Sequence, residues 1–249
     1  MKMTELAIIG GTGLTSLNGL EIIRKEVVHT PYGEPSGPLT HGVLCGKEVV
    51  FLARHGYGHT IPPHRINYRA NISALQQNGV KRIFAVAAVG GISPEMEPGR
   101  LAFPDQIIDY TWSRINTYFE DELTHVTHID FTYPYCADMR ESLIKSAREV
   151  GLIACESGTY GITQGPRLET AAEIDRLERD GCTMVGMTGM PEAALAREMD
   201  MSYATCAVSA NWAAGRGDGN EISMEEIEIN LKAGMEKVRT LLEYLVPRL

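Results

Sequence analysis

The sequence predicts an α/β fold in one domain, with a mixed, mostly parallel central sheet flanked by helices. Three observations carry that expectation. The strand-like stretches are apolar runs without polar alternation: ELAIIGG at 5–11, EVVFLAR at 48–54, KRIFAVAAVGG at 81–91 and YATCAVSAN at 203–211. A strand apolar on both sides has to be covered on both sides, which is the condition of a parallel sheet. Helical patterns fall between these runs and supply the cover. Polar or glycine-rich turns follow the runs, and ligands of such sheets gather beyond the carboxyl ends of the strands.

In chain order, ELAIIGG reads as a first strand ended by glycines, and EVVFLAR as a second that leads into a histidine-rich loop. RANISALQQN (69–78) is a helix, KRIFAVAAVGG a third strand and LAFPDQIID (101–109) a fourth, weakened by Pro104, which cannot donate to a ladder. SLIKSAREVG (142–151) and LETAAEIDRLERDG (168–181) are amphipathic helices stopped by glycine. Between them ESGTYGITQGP (156–166) is strand-like and then turns; TMVGM (183–187) is a short strand. PEAALAREMD (191–200) is a helix with proline in its first turn, and 223–245 is a long last helix with Ser223 and Glu226 spaced as a capping box. No internal repeat or long linker divides the chain, so residues 1–249 read as one domain.

Composition narrows the function. Hydrophobic residues are 44% of the chain and the net charge is −9. A chain this acidic, with no long basic face, argues against nucleic acid as a partner. Its five cysteines (Cys45, Cys136, Cys155, Cys182, Cys206) form no CxxC pair and are odd in number, which points to buried thiols in a reducing compartment. No leader-like or membrane-length apolar stretch is present, so the expectation is a cytoplasmic protein with no membrane partner.

Against that acidic background, RHGYGHTIPPHRINY (54–68) concentrates three of the seven histidines and two arginines. Local positive charge in an acidic chain suggests a small anion. Arg54 offers a planar fork and His55 an imidazole at a strand end. Gly10-Gly11-Thr12-Gly13 lets backbone amides approach an anion and adds a hydroxyl, although Ser16 stands where a dinucleotide fingerprint needs its third glycine. Thr188, just before the helix at 191–200, is a third candidate donor. His59 and His64 are spaced irregularly and have no acidic residue near them in sequence, which argues against a metal. Glu169 stands at a helix start, where it could simply favour the dipole; Asn211 ends a strand, where it could be a turn former or could read both donor and acceptor edges of a ligand.

These pieces together resemble the purine nucleoside phosphorylase and methylthioadenosine phosphorylase family, in its trimeric branch. The resemblance runs over nearly the whole chain, through IIGGTGL (8–14), TPYGEPSGP (30–38), LARHGYGHTIPPHRINYRAN (52–71), AVGGI (88–92), HIDF (128–131), TQGPRLET (163–170) and MTGMPEAALARE (187–198). It implies cleavage of a purine N-glycosidic bond by inorganic phosphate as co-substrate, with no metal and no organic cofactor, as a step of purine salvage. It implies a phosphate site of Thr12, Arg54, His55, the Ala88 backbone and Thr188. His59, Met187 and Met224 are expected around the ribose and its 5′ group, with His128 lent by a neighbouring subunit of a homotrimer, or of a dimer of trimers. Leu168, Glu169 and Asn211 are expected at the purine.

The chain departs from adenosine-type members, which have aspartates where Asn211 and Ala213 stand and a serine where Glu169 stands. A Glu169 carboxylate accepts from N1–H of a 6-oxopurine, and the Asn211 amide donates to O6 while accepting from N7–H. Adenine would leave such groups mismatched, at roughly 1–3 kcal/mol per unpaired buried group. An apolar residue, Met224, at the 5′ end favours a methylthio group over a hydroxyl. The combined expectation is 5′-methylthioinosine as substrate. Inosine/guanosine and methylthioadenosine phosphorylases are the alternatives, and a non-enzymatic nucleotide-binding domain is the remote one.

Overall fold

The computed structural model describes residues 4–120, 124–218 and 221–249. Eleven strands and five α-helices are formed by them. The strands are β1 (Leu6–Gly10), β2 (Glu21–Glu26), β3 (Leu39–Leu44), β4 (Lys47–Ala53), β5 (Arg82–Gly91), β6 (Leu101–Ala102), β7 (Gln106–Asp109), β8 (Ala154–Cys155), β9 (Thr159–Ile162), β10 (Met184–Gly186) and β11 (Ser202–Trp212). The helices are α1 (Tyr68–Gln77), α2 (Ala137–Glu149), α3 (Ala171–Arg179), α4 (Gly189–Glu198) and α5 (Met224–Leu245).

All strands join one mixed sheet with the path β2-β3-β4-β1-β5-β10-β9-β7, and with β11, β6 and β8 branching from β5. The branch arises because β5 is long. Its first half pairs parallel with β1, from Leu6↔Arg82 to Ile9↔Ala85. Its last residues, Gly90 and Gly91, pair antiparallel with Val185 and Met184 of β10. Its other edge carries β11 in parallel along its whole length. The ends of β1, β4, β5, β10 and β11 are thereby brought to one region.

The apolar runs are covered on both faces. In β1, Ala7 and Ile9 join one buried cluster and Leu6 and Ile8 the other, the two-residue period of a pleated strand. The first cluster receives Ile72 and Leu75 of α1 and Leu195 and Ala196 of α4. The second receives Leu143 and Ile144 of α2 and Leu231, Val238, Leu241 and Leu245 of α5. Each buried Leu or Ile contributes about 1.5–3 kcal/mol relative to exposure. A smaller third cluster sets Ile174 and Leu177 of α3 against Ile92, Val185 and Ala213.

The expected elements appear, with shifts that have local causes. Pro104 splits the 101–109 stretch into β6 and β7, since it offers no ladder donor. α2 begins at Ala137, five residues ahead of the apolar pattern, and its first turn presents Asp138 to the positive helix end. At α5 the Ser223 side chain accepts from the Glu226 amide, while a reciprocal capping box forms at the start of α3 between Thr170 and Glu173. β2 and β3 had no counterpart in the sequence reading. All five cysteines are free; Cys182 and Cys206 are buried as expected, but Cys45 is exposed.

Candidate active site

One cavity opens where the carboxyl ends of these strands converge. Thr12, Arg54, His55, Ala88 and Thr188 line it, as do Leu168, Glu169, Met187 and Asn211. Residues separated by almost two hundred positions in sequence thus face the same space.

β1 delivers Gly11 and Thr12. Gly11 is required by close approach: a Cβ there would stand 2.6 Å from the Val86 carbonyl and 2.9 Å from Nη1 of Arg54. β4 delivers Arg54, which is 1% exposed. Its Nε and Nη2 donate to the two oxygens of Glu192 at 2.6 and 2.7 Å, and Nη1 donates to the Val86 carbonyl at 2.9 Å. The fork expected to grip an anion is therefore turned into the protein. What remains for the cavity is the outer edge, one N–H on each Nη. Burial opposes the charge of Arg54, but the Glu192 carboxylate outweighs it and holds the guanidinium pKa above its ordinary value. Glu192, fully buried in α4, also accepts from the Tyr203 hydroxyl at 2.7 Å. Sequence reasoning passed over it as a helix-start residue, because its partners lie 138 and 11 residues away.

His55 is held by its Nδ1, 2.8 Å from the Ile61 carbonyl. A carbonyl only accepts, so Nδ1 carries the proton and Nε2 of the neutral ring is an acceptor. Burial pushes the His55 pKa down to about 4; the Ile61 carbonyl opposes that shift, and Arg54 and His59 add to it. The imidazole is uncharged at neutral pH. Thr188 is the residue before α4, and its hydroxyl makes no capping bond to the helix.

The second group is built by turns and a bulge. Glu169 stands just before the α3 cap and accepts a hydrogen bond from the Thr163 hydroxyl on Oε1, which leaves Oε2 for a ligand. Asn211 owes its aim to a β-bulge: Ser209 pairs with Val89 and Asn211 with Gly90, so Ala210 is the extra residue. Asn211 Nδ2 donates to the Trp212 carbonyl at 2.6 Å, which fixes the amide and keeps its oxygen and one N–H available. Ala213 lines the same space.

Arg114 is another residue the sequence did not single out. It donates to the carbonyls of Met187 (2.8 Å), Met190 (2.6 Å), Thr163 (3.2 Å) and Gln164 (2.8 Å). It ties the turn bearing Glu169 to the turn bearing Met187 and Thr188. No motif marks it; the signal would have been a lone arginine in a stretch otherwise poor in charge.

Three expected residues are not among those lining the cavity. His59 is exposed, with its ring 4.7 Å from that of His55. His128 is exposed on the segment after α1 and β7. Met224 is 63% exposed at the first turn of α5. From the same stretch of chain, Ile222 and Ile227 do line the cavity.

Comparison with known proteins gives the family of the chain. Residues 5–247 match the family model described as the phosphorylase superfamily. A probable S-methyl-5′-thioinosine phosphorylase of Xylella fastidiosa is 54% identical over 231 residues, 93% of each chain. A 6-oxopurine nucleoside phosphorylase of Pyrococcus furiosus is 49% identical over 245 residues, 96% of this chain and 91% of that one. Among solved structures, a methylthioadenosine phosphorylase of Schistosoma mansoni in complex with adenine superposes with a TM-score of 0.94 at 30% identity, covering 98% of this chain and 91% of the other. Sequence, sheet topology and cavity thus converge, and the chain belongs to the phosphorylase superfamily of glycosidic-bond-cleaving enzymes.

Proposed function

We propose that the chain cleaves the N-glycosidic bond of S-methyl-5′-thioinosine with inorganic phosphate, giving hypoxanthine and 5-methylthioribose 1-phosphate. The observation that carries this reading is the single cavity that joins the donors of Thr12, Arg54 and Thr188 and the acceptor nitrogen of His55 to Glu169, Asn211 and the apolar pair Ile222 and Ile227. The name of the Xylella relative supports it.

The chemistry follows from the groups. The outer edge of Arg54, the Thr12 and Thr188 hydroxyls and the backbone at Ala88 hold hydrogen phosphate. As the C1′–N9 bond lengthens, positive charge grows on the ribosyl ring and a phosphate oxygen bonds to C1′. The purine leaves with the bonding pair and takes up at N7 the proton that hydrogen phosphate gives up, and the N7–H so formed donates to the Asn211 amide oxygen. The proton of hydrogen phosphate is balanced by the one the neutral free base carries. Groups that meet the charges of this transition state better than those of the substrate accelerate the step. Met187 packs along the ribose, Leu168 along the base, and no protein nucleophile is needed.

A 6-oxopurine nucleoside phosphorylase acting on inosine or guanosine is the second reading, favoured by the Pyrococcus relative. Base release from methylthioinosine, methylthioadenosine, inosine, guanosine and adenosine, each with and without phosphate, decides between them. A dominant phosphate-dependent rate on methylthioinosine supports the proposal; a higher kcat/KM on inosine replaces it with the second reading.

The same reading includes a homotrimer, with His59 at the rim of the sugar site and His128 reaching a neighbour's 5′ region. Trp112, Ile115, Val126 and Tyr133 are exposed on the segment that carries His128, an apolar surface suited to another copy. It also includes a single nucleoside phosphorylase domain over 1–249 and a cytoplasmic location, in keeping with five free thiols. No helix among the described residues is long and apolar enough to cross a membrane.

A further inference from the structure

The group behind the anion donors is unusual in its charge. Arg54 is the one arginine among the residues that line the cavity, and no lysine joins it. Its Nε and Nη2 are bound side-on by Glu192, and both residues are almost wholly removed from water. Glu192 has no face on the cavity, so it does not meet a ligand. A buried ion pair of this kind gives up much of its attraction to desolvation, and an apolar pair of the same size would often serve stability as well. Its position therefore asks for a reason other than holding the fold.

We infer that Glu192 is a positioning residue that both aims Arg54 and cancels its charge, so that the phosphate end holds its anion by hydrogen bonds without net positive charge. The inference rests on the phosphorolysis reading and deepens it. Three features fit together. The Arg54 charge is matched by one carboxylate, and the guanidinium is locked by three bonds, to Glu192 twice and to the Val86 carbonyl. His55, with Nδ1 committed to the Ile61 carbonyl, presents an acceptor nitrogen, which suits the P–OH of hydrogen phosphate and repels a bare oxyanion. The Thr12 and Thr188 hydroxyls and the backbone are neutral donors.

The consequence is catalytic. A strongly cationic site would hold phosphate tightly and screen its charge from the sugar. A neutral cradle leaves that charge to act on the ribosyl cation, so binding strength is given up in the ground state and recovered in the transition state.

Glu192→Gln tests this, because it keeps an acceptor for Arg54 and Tyr203 but removes the charge. The expected result is a split: the KM for phosphate falls by about threefold or more as the site becomes cationic, while kcat falls by about tenfold. Glu192→Asp, which restores the charge, moves the KM back up. A rise in phosphate KM in Glu192→Gln, or a fall in kcat without any change in KM, overturns the inference and leaves Glu192 a structural residue. If Glu192→Gln does not fold, the unaltered enzyme decides. Raising inert salt from about 20 to about 300 mM should change its phosphate KM less than about twofold, and a tenfold rise would overturn the neutral cradle. Base release that proceeds without phosphate in the unaltered enzyme would instead refute phosphorolysis itself, before any variant is made.

Discussion

The guanidinium of Arg114 donates to the Met187 carbonyl at 2.8 Å and, through its other Nη, to the Gln164 carbonyl at 2.8 Å. One side chain thus ties the turn that carries Met187 to the turn that leads to Glu169. Arg114→Lys keeps the charge but loses the planar fork. It should lower stability by about 2–3 kcal/mol, since several bonds at about 0.5–1.5 kcal/mol each are lost, and lower kcat/KM for nucleoside and for phosphate together. Urea unfolding beside steady-state kinetics checks this; a variant affecting one substrate only would refute the shared tie.

Arg54→Ala should weaken phosphate use more than Thr12→Ala or Thr188→Ala, and it should also unsettle the fold. It strands the buried Glu192 carboxylate, and breaking a buried pair on one side costs about 3–5 kcal/mol. Thr188→Ala removes a neutral donor worth about 1 kcal/mol. Thermal melts of the two variants, taken with phosphate KM values, should separate them clearly. Equal melting temperatures would contradict the burial of the pair.

Asn211→Ala should lower kcat as well as kcat/KM, by about tenfold to a hundredfold, because the N7 contact strengthens as the purine departs. Asn211→Asp should erode the preference for methylthioinosine over methylthioadenosine, since a carboxylate cannot donate to O6 yet accepts from an amino group. It should not make a good adenine enzyme, with Glu169 still facing N1 and Ala213 offering no second carboxylate. The kcat/KM ratio of the two substrates in parent and variant is the measurement; a parent that prefers methylthioadenosine sinks the base-site reading.

Ile227→Ala should reduce kcat/KM for methylthioinosine by about tenfold, the scale of a trimmed apolar contact in a pocket, and reduce that for inosine less. Met224→Ala should change either by less than about twofold, because Met224 is 63% exposed and does not line the cavity. The reverse pattern would return the 5′ contact to Met224.

His55 predicts a stability slope with pH. Its folded pKa is depressed, to about 4, below the 6.5 of an unperturbed imidazole. Between those values the unfolded chain binds more protons, so this residue's contribution is full above pH 6.5 and is lost as pH falls toward 4. The full loss, once pH is below 4, should be on the order of 3 kcal/mol. Urea unfolding at neutral pH and near pH 5 should show a smaller difference in His55→Gln than in the parent. An unchanged slope would mean that another group carries it.

The central strands were legible because β1, β4, β5 and β11 are mostly apolar runs without polar alternation, the pattern that two-sided burial produces. β2 was not, because Ile22 and Ile23 are both exposed and EIIRKE has no inward face to read. β3 hides Thr40 and His41 in a buried strand, against the usual composition of one. Glu169 and Asn211 could be read as chemistry at a turn and a strand end, and both line the cavity. Glu192 and Arg114 could not, since what matters in each is a partner tens of residues away. Ile222 and Ile227 were missed because the phase of a helix at its first turn is set by the cap and the preceding loop, and apolar residues crowd that stretch.

The double duty of β5 has a temporal side. Its edge toward β11 pairs Arg82 with Ser202 and Gly91 with Trp212, about 120 residues further along the chain. During synthesis this long apolar strand therefore leaves the ribosome long before its β11 neighbour exists. At about 5–20 residues per second, that edge waits on the order of ten seconds with its amides and carbonyls unmatched. Asn211 arrives with β11 and Ile227 later still, so the cavity is incomplete in the nascent chain until its last helix emerges. Long-range closure of this kind slows folding and exposes a sticky edge, which makes the interval before β11 docks the time when the chain most needs protection from its neighbours.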